Sequence, residues 1–185
     1  MGFPKPLLQI GNDTFLARTA AVMLSAVDRL IIVTGAHQEK VEAAVPSIPG
    51  IVSVHNANWP LGQLSSIKVG LAAVGADAAG VVVHLADHPM VRPETVQKLV
   101  AEYRRRLKPI ILARHEGQQG HPVLFDRSVF GELMGAPEDG GARVVVNADP
   151  ARVVYLDVYD PGVVLDLDTP ADLAKVGLSP PPRSN

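Results

Sequence analysis

Short, nearly continuous β-branched runs punctuate this amino-acid sequence: Leu30-Ile31-Ile32-Val33-Thr34, Ile51-Val52-Ser53-Val54, Val81-Val82-Val83-His84-Leu85, Pro109-Ile110-Ile111-Leu112-Ala113, Val153-Val154-Tyr155-Leu156 and Val163-Val164-Leu165. A strand that is apolar at every position has to be covered on both faces, and segments of helical periodicity separate these runs. The alternation predicts βαβ units: an α/β fold with a single doubly wound, mostly parallel sheet and helices on both faces. Helices are expected over about Phe15 to Asp28, where Leu16, Ala20, Met23 and Val27 share a face behind an Asp13-Thr14 cap, and over Gln38 to Val45, closed by Pro46. Two more are expected over Leu64 to Val74 and from Pro93 to the basic end at Arg104, Arg105 and Arg106. That arginine triplet reads as a solvated helix C-terminus complementing the dipole rather than as a phosphate site.

With 185 residues, the chain has the size of one ordinary domain, expected over residues 1–177 ahead of a disordered Pro-rich tail at 178–185. Lys+Arg 17 against Asp+Glu 19 gives a formal net charge of -2, so no basic surplus points to nucleic acid. The lack of cysteine excludes a disulfide scaffold, a thiolate-ligated metal and a thiol nucleophile. No signal-peptide pattern opens the sequence, and no apolar run reaches the roughly 18 to 20 residues of a membrane span. The expectation is a soluble, cytoplasmic domain with neither membrane nor nucleic-acid partners. The dinucleotide, P-loop and nucleophile-elbow fingerprints are all missing.

Chemistry concentrates where strands end. Val81 to Leu85 runs straight into Asp87-His88-Pro89, and open parallel sheets bind ligands beyond the carboxyl ends of their strands. Asp87 is therefore a candidate ligand for Mg²⁺, which takes one or two carboxylates and substrate phosphates; an aspartate capping the following turn is the plain alternative. His84 and His88 could chelate a metal only across a sharp turn at Ala86, since four residues of strand would hold them about 13 Å apart. His84 thus reads as a packed strand residue. Asp166 and Asp168 alternate at period two and point to one side, so either could join Asp87, while Asp168 could instead cap the helix starting at Thr169-Pro170. Asn56 through Gly62 to Ser65-Ser66-Ile67 is a polar loop opening onto a helix, a place for a base or an anion, with Ser65 equally an ordinary cap. Gly117 to Pro122 reads as a flexible turn in which His121 is a possible base or substrate contact.

Taken in order, these segments resemble the molybdenum cofactor cytidylyltransferases, the MobA-like NTP transferases of the nucleotidyltransferase superfamily. The resemblance is carried by Met1-Gly2-Phe3-Pro4-Lys5-Pro6, Val33-Thr34-Gly35-Ala36-His37, Asn58-Trp59 through Gly62 to Ser66, Leu85 to Pro89, Gly120-His121-Pro122-Val123-Leu124-Phe125 and Asp166 to Leu173. It implies a nucleotide-diphospho-sugar transferase-like domain that moves CMP from CTP to molybdopterin with release of pyrophosphate. It implies Mg²⁺ held by Asp87 with Asp166 or Asp168, and Lys5 and Asp87 as the catalytic pair. Lys5, Asn58, Gly62, Ser65 and Ser66 would bind the nucleotide, and Gly120 and His121 would face the acceptor. A molybdoenzyme or its maturation factor is the implied protein partner. The Gly-His-Pro-Val-Leu-Phe run favours the cytidylyl branch; a guanylyltransferase with another acceptor remains the alternative within the class.

The sequence departs from the family in two places. Where the family reads Gly-Asp-Gln-Pro, this chain has Ala86-Asp87-His88-Pro89. The family's opening strand and Leu-Ala-Ala-Gly-x-Ser-x-Arg phosphate loop, which would precede Met1, are not in the sequence, and the missing strand is central in the family's sheet. Two readings follow: a start upstream of Met1, or a catalytically impaired relative acting as a nucleotide- or cofactor-binding accessory protein. The persistence of Lys5, Asp87, Asp166 and Asp168 favours the first.

Overall fold

The computed structural model describes residues 4–105 and 107–178. Arg106 and the Pro-rich tail expected at the C-terminus, from residue 179 onward, lie outside the described residues. The chain is a mixed α/β domain. A short antiparallel ladder, β1 (Gln9–Ile10) and β2 (Asp13–Thr14), leads into α1 (Phe15–Leu24), whose first turn is capped by the Thr14 hydroxyl accepting from the Ala17 N–H at 3.0 Å. There follow β3 (Leu30–Thr34), α2 (Gln38–Glu42), β4 (Ile51–His55), α3 (Gln63–Ala72), β5 (Gly80–Val83), α4 (Pro93–Arg104), β6 (Ile110–His115) and β7 (Gln118–Asp126). The chain continues through α5 (Phe130–Gly135), α6 (Arg143–Ala148), β8 (Val153–Asp157) and α7 (Pro170–Lys175).

The strands are mostly parallel. β3 pairs with β4 in parallel, while β5, β7, β6 and β8 lie side by side in that order, with β7 the one strand running against its neighbours. Alternation along β6 explains the layers. Ile110 and Leu112 point to one face, where they pack with Leu64 and Leu71 of α3, Leu133 of α5 and Val145 and Val146 of α6. Ile111 and Ala113 point to the other, against Leu99 of α4. Helices therefore cover both faces, as continuously apolar strands require.

β3 and β5 form no ladder with each other, although Leu30 and Val82 pack in one cluster with Val22 and Met23 of α1 and Val96 of α4. Each of these two strands has one edge without a strand partner among the described residues.

Three local departures from the sequence reading matter for the site. First, β5 ends at Val83, not Leu85, because its partner on β7 is Val123 and the next residue toward the N-terminus of β7 is Pro122, which has no N–H to extend the ladder. Second, Gly120, His121 and Pro122 lie within β7 rather than in a turn. The reversal occurs earlier, at Glu116 (φ 47) and Gly117 (φ 80), two left-handed residues that suit a tight hairpin. Third, Val163-Val164-Leu165 is not a strand. Pro161–Val163 forms a 3₁₀ turn, capped by the Asp160 carboxylate accepting from the Gly162 N–H at 3.0 Å. Gly162 packs so closely under Met90 that a Cβ there would stand 2.3 Å from the Met90 carbonyl oxygen. α5 and α6, each six residues long, are additions to the helices expected from periodicity.

Candidate active site

The segment leaving β5 builds the centre. Beyond Val83 the chain turns at Ala86-Asp87, with the His88 N–H donating to the Leu85 carbonyl at 3.2 Å. Its position is fixed from two sides: Arg18 Nε of α1 donates to the Pro89 carbonyl at 2.8 Å, and the Leu167 N–H donates to the Asp87 carbonyl at 3.1 Å. That last bond joins the two acidic segments directly. Leu167 is fully buried between Asp166 and Asp168, so the period-two alternation survives in an extended chain that is not a strand.

Asp87, His88 and Asp166 each bring one ligand-type atom to within 4.8 Å of the others. Trans ligands on an octahedral ion with bonds of about 2.1 Å stand about 4.2 Å apart, so this donor group is close to the size of one divalent cation. Asp87 Oδ1 and His88 Nδ1 are shielded from water and have no hydrogen-bond partner. Lys5 Nζ lies 3.6 Å from the other Asp87 oxygen and forms an ion pair with Asp168. Asp168 thus sits beside the lysine instead of in the donor group. Nor does it cap α7: Thr169 does, in a reciprocal box with Asp172. Lys175 and Thr169 pull the Asp172 carboxyl down to about 2, away from the centre.

The Asp166 carboxyl is held above the usual carboxylate range, first by partial loss of water and then by the Asp87 charge, with His88 and Lys5 acting in the opposite sense. Two carboxylates this close resist simultaneous ionisation, and a bound cation would relieve both.

Three imidazoles back this centre. The turn at Ala86-Asp87 brings the His84 and His88 rings to 6.3 Å between centroids, against the roughly 13 Å of a straight strand. His121 of β7 lies 5.4 Å from His88 and 6.4 Å from His84. His84 Nε2 is 3.1 Å from the His88 carbonyl and donates to it, which leaves its Nδ1 without a partner. Burial pushes His84 down to about 3, with the neighbouring imidazoles adding to it, and pushes His121 down to about 4, with His88 the next cause. Both are therefore neutral at pH 7. His84, expected to be a packed strand residue, instead braces the loop that carries His88.

The second candidate region is the loop ahead of α3. Asn56 is buried, and its Nδ2 donates to Ser65 Oγ at 2.8 Å and Ser66 Oγ at 3.0 Å, while its Oδ1 accepts from the Asn58 N–H at 2.9 Å. Ser65 Oγ lies 2.7 Å from the Gly62 carbonyl and 3.1 Å from that of Asn58. The helix starts behind Gly62, at φ 108, without a side-chain cap. Ser65 is buried within this network; Asn58, Trp59 and Gly62 are exposed. Gly35 packs against the loop, and a Cβ there would stand 2.7 Å from Trp59 Cβ.

Of the expected site residues, Lys5, Asp87, Asp166, Asp168 and His121 converge on or beside the acidic centre, while Asn58, Gly62, Ser65 and Ser66 form the separate loop unit. Gly120 makes a structural contact, since a Cβ there would be 2.0 Å from the Val163 carbonyl oxygen. Sequence reasoning placed Asn56 only at the start of the candidate loop, without its supporting role, and missed Asp160. Asp160 is buried and accepts from the Arg92 N–H at 2.9 Å and the Thr95 hydroxyl at 2.6 Å, tying the start of α4 to the turn before the acidic segment. Its Asp-Pro-Gly context was the available signal.

The MobA-like NTP transferase domain family matches residues 1–153. The molybdenum cofactor cytidylyltransferase of Escherichia coli (strain K12) is 25% identical over 173 residues, covering 93% of this chain and 86% of that protein. A 2-C-methyl-D-erythritol 4-phosphate cytidylyltransferase from Rhodococcus opacus (strain B4) is 30% identical over 144 residues, covering 77% of this chain and 60% of that one. Among solved structures, Rv0371c from Mycobacterium tuberculosis H37Rv in complex with manganese superposes with a TM-score of 0.76 at 32% identity, covering 95% of this chain and 92% of that one.

Proposed function

Because the chain belongs to the MobA-like NTP transferase family, a group of nucleotidyltransferases, we propose that it transfers CMP from CTP to a phosphate of a molybdopterin-type acceptor with release of pyrophosphate. The observation that carries this reading is the Asp87, His88 and Asp166 donor group at the end of a sheet strand, beside Lys5. The Escherichia coli relative at 25% identity supports CTP with a molybdopterin-type acceptor, and the Gly120 to Phe125 run supports the cytidylyl branch.

In the reaction, an oxygen of the acceptor phosphate attacks the α-phosphorus of CTP. A new P–O bond forms as the bond to the β-phosphate bridging oxygen breaks, and pyrophosphate carries that electron pair away. Such transfer needs positioning and charge neutralisation rather than a protein nucleophile, which suits a chain without cysteine. Asp87 and Asp166 fit a divalent cation, which when bound would neutralise and orient the triphosphate; magnesium is the ion the carboxylates suggest. Lys5 supplies a further positive charge at the same place, with Asp168 fixing its ammonium group. The exposed face of the loop from Asn58 to Gly62 receives the nucleoside, held in shape from behind by Asn56.

The test is pyrophosphate release by the full chain with CTP, GTP, ATP or UTP and a molybdopterin-type acceptor. Turnover with CTP above the other nucleotides, abolished in Asp87→Asn, is expected. Turnover unaffected by Asp87→Asn overturns the assignment of the centre, and a preference for GTP moves the chain to the guanylyl branch.

A further inference from the structure

We propose that His88 is itself a metal ligand in this protein, and that the resulting mixed nitrogen and oxygen donor set makes the centre select first-row transition ions, manganese(II) among them, over magnesium. The inference rests on the metal-binding part of the function proposed above and concerns which ion that centre takes.

Four observations converge. The ligand atoms of Asp87, His88 and Asp166 all lie within 4.8 Å of one another, so the imidazole belongs to the same cluster as the two carboxylates. His88 is 7% exposed, and its Nδ1 is a buried polar atom without a hydrogen-bond partner. Asp87 Oδ1, also buried, is unpartnered in the same cluster. Buried polar atoms are paired in nearly all proteins, so orphaned atoms on two residues of one donor group mark a place completed by something that accepts lone pairs. A cation does so, taking a lone pair from each.

The fourth observation is that His88 is held in place by the backbone around it. Its N–H donates to Leu85, its carbonyl accepts from His84 Nε2 at 3.1 Å, and Pro89 follows, itself anchored by Arg18. Ligands presented on a braced loop lose little freedom when the ion arrives. His84 uses its own Nε2 for this bracing and is absent from the donor group, so it acts as a positioning residue rather than a ligand.

The chemistry then fixes the preference. Magnesium requires near-ideal octahedral oxygen ligation and keeps much of its water, whereas imidazole nitrogen is a good donor for borderline divalent ions. Two carboxylates alone would serve either ion. Adding a preformed imidazole contributes bonding to manganese(II), cobalt(II) or zinc(II) that magnesium does not match, and it takes the place of a water that magnesium would retain.

The test uses the full-length chain, stripped with chelator, and no nucleotide. Manganese(II) binding is followed by loss of the free-ion electron paramagnetic resonance signal, magnesium binding by competition, and nitrogen ligation by electron spin echo modulation with and without ¹⁵N-histidine labelling. One site is expected, binding manganese at least tenfold more tightly than magnesium, with a ¹⁴N coupling that is replaced by a ¹⁵N pattern on labelling. His88→Gln, which keeps side-chain volume and an oxygen donor, is expected to lose that coupling and at least tenfold in manganese affinity, while magnesium affinity changes less than threefold. His121→Gln is expected to retain the coupling.

A nitrogen coupling that persists in His88→Gln, or an equal loss for both ions, overturns the proposal. If His88→Gln does not fold, the unsubstituted chain decides: absence of nitrogen coupling, or magnesium competing at parity, overturns it. Because these measurements involve neither nucleotide nor acceptor, a chain that ligates manganese through His88 yet fails to release pyrophosphate would sink the transferase reading alone. The opposite pair of results would sink this one.

Discussion

The acidic centre and the Asn56 loop are both polar, both follow a strand, and differ in what they leave unpaired. Around Asp87, buried atoms of Asp87, His84, His88 and His121 have no hydrogen-bond partner. Around Asn56, the buried amide spends its donors and its acceptor on Ser65, Ser66 and Asn58. A fully satisfied buried network rigidifies the backbone that carries it; an unsatisfied one costs stability and is kept where a ligand will complete it. The centre is thus built for an incoming partner, and the loop is built to hold its own shape and offer only its exposed face. Substitutions in the two regions should fail in opposite ways.

The largest effect belongs to the centre and should be on activity. Asp87→Asn keeps the volume and removes the charge, and under the proposed role of Asp87 in holding the cation this should cost several kcal/mol of transition-state stabilisation, about a thousandfold in kcat. The metal-free stability should move by less than about 1 kcal/mol, because the Lys5 interaction it loses is partly solvated. Steady-state pyrophosphate release and urea unfolding of the same preparation check both halves. A large stability loss with activity retained would reverse the contrast between the regions.

Acid provides the next largest effect, again at the centre. His84 and His121 are depressed in the fold to about 3 and about 4, below the ordinary histidine value. Above pH 6.5 neither state holds the extra protons and stability is flat; below it the unfolded chain takes them up while the native one does not. Stability therefore falls with pH through the window from about 6.5 down to about 4, by about 2 kcal/mol per histidine between pH 7 and 5. Asp166, whose carboxyl is raised, works in the other direction and only at the acid end of that window. Urea midpoints of the metal-free chain at pH 7 and pH 5 measure the drop, and His84→Gln should remove about half of it. A pH-independent midpoint would mean the imidazoles are not shielded from water.

How far the sequence showed this depended on the range of the forces involved. The α/β layering was legible because Ile110 to Ala113 is apolar at every position and must be covered twice. Asp87 and Asp166 were legible because carboxylates after apolar runs stand out. His88 was legible only as half of a His84 and His88 pair that needed a sharp turn at Ala86, because its place depends on β5 stopping at Val83, and that follows from Pro122 some forty residues on, in a strand whose pairing no local pattern announces. Val163 to Leu165 carried the right residues for a strand, yet the Asp160-Pro161-Gly162 turn and the close approach of Gly162 to Met90 claimed the backbone first. α5 and α6 escaped notice because helices of six residues without side-chain caps are made by tertiary contact, here the packing of Leu133, Val145 and Val146 beneath the sheet.

In the loop, the expected failure is in stability. Asn56→Ala strands the hydroxyls of Ser65 and Ser66 and removes a buried amide, which should cost about 3 kcal/mol and lower Tm on the order of 10 °C. Nucleotide binding below the melting range should weaken only as far as the exposed backbone loses its shape. Calorimetry with and without CTP distinguishes the two contributions. An unchanged Tm with binding abolished would show that Asn56 faces the nucleotide rather than the helix.

The smallest effects separate two neighbouring serines that the sequence treated alike. Ser65 is buried and lies within hydrogen-bonding distance of both the Gly62 and Asn58 carbonyls as well as Asn56, so its hydroxyl is already committed. Ser66 is less buried and accepts one bond from Asn56, leaving its proton to give. Ser65→Ala should therefore lower stability by about 1 to 2 kcal/mol and shift KM for CTP through loop disorder alone, whereas Ser66→Ala should cost under about 1 kcal/mol. If Ser66 contributes its free proton to the nucleotide, KM rises severalfold in Ser66→Ala at unchanged kcat, and cysteine at that position, with its weaker donor, restores little. Equal stability losses for the two serines would mean the loop is held by its backbone and not by Asn56, removing the feature that sets it apart from the acidic centre.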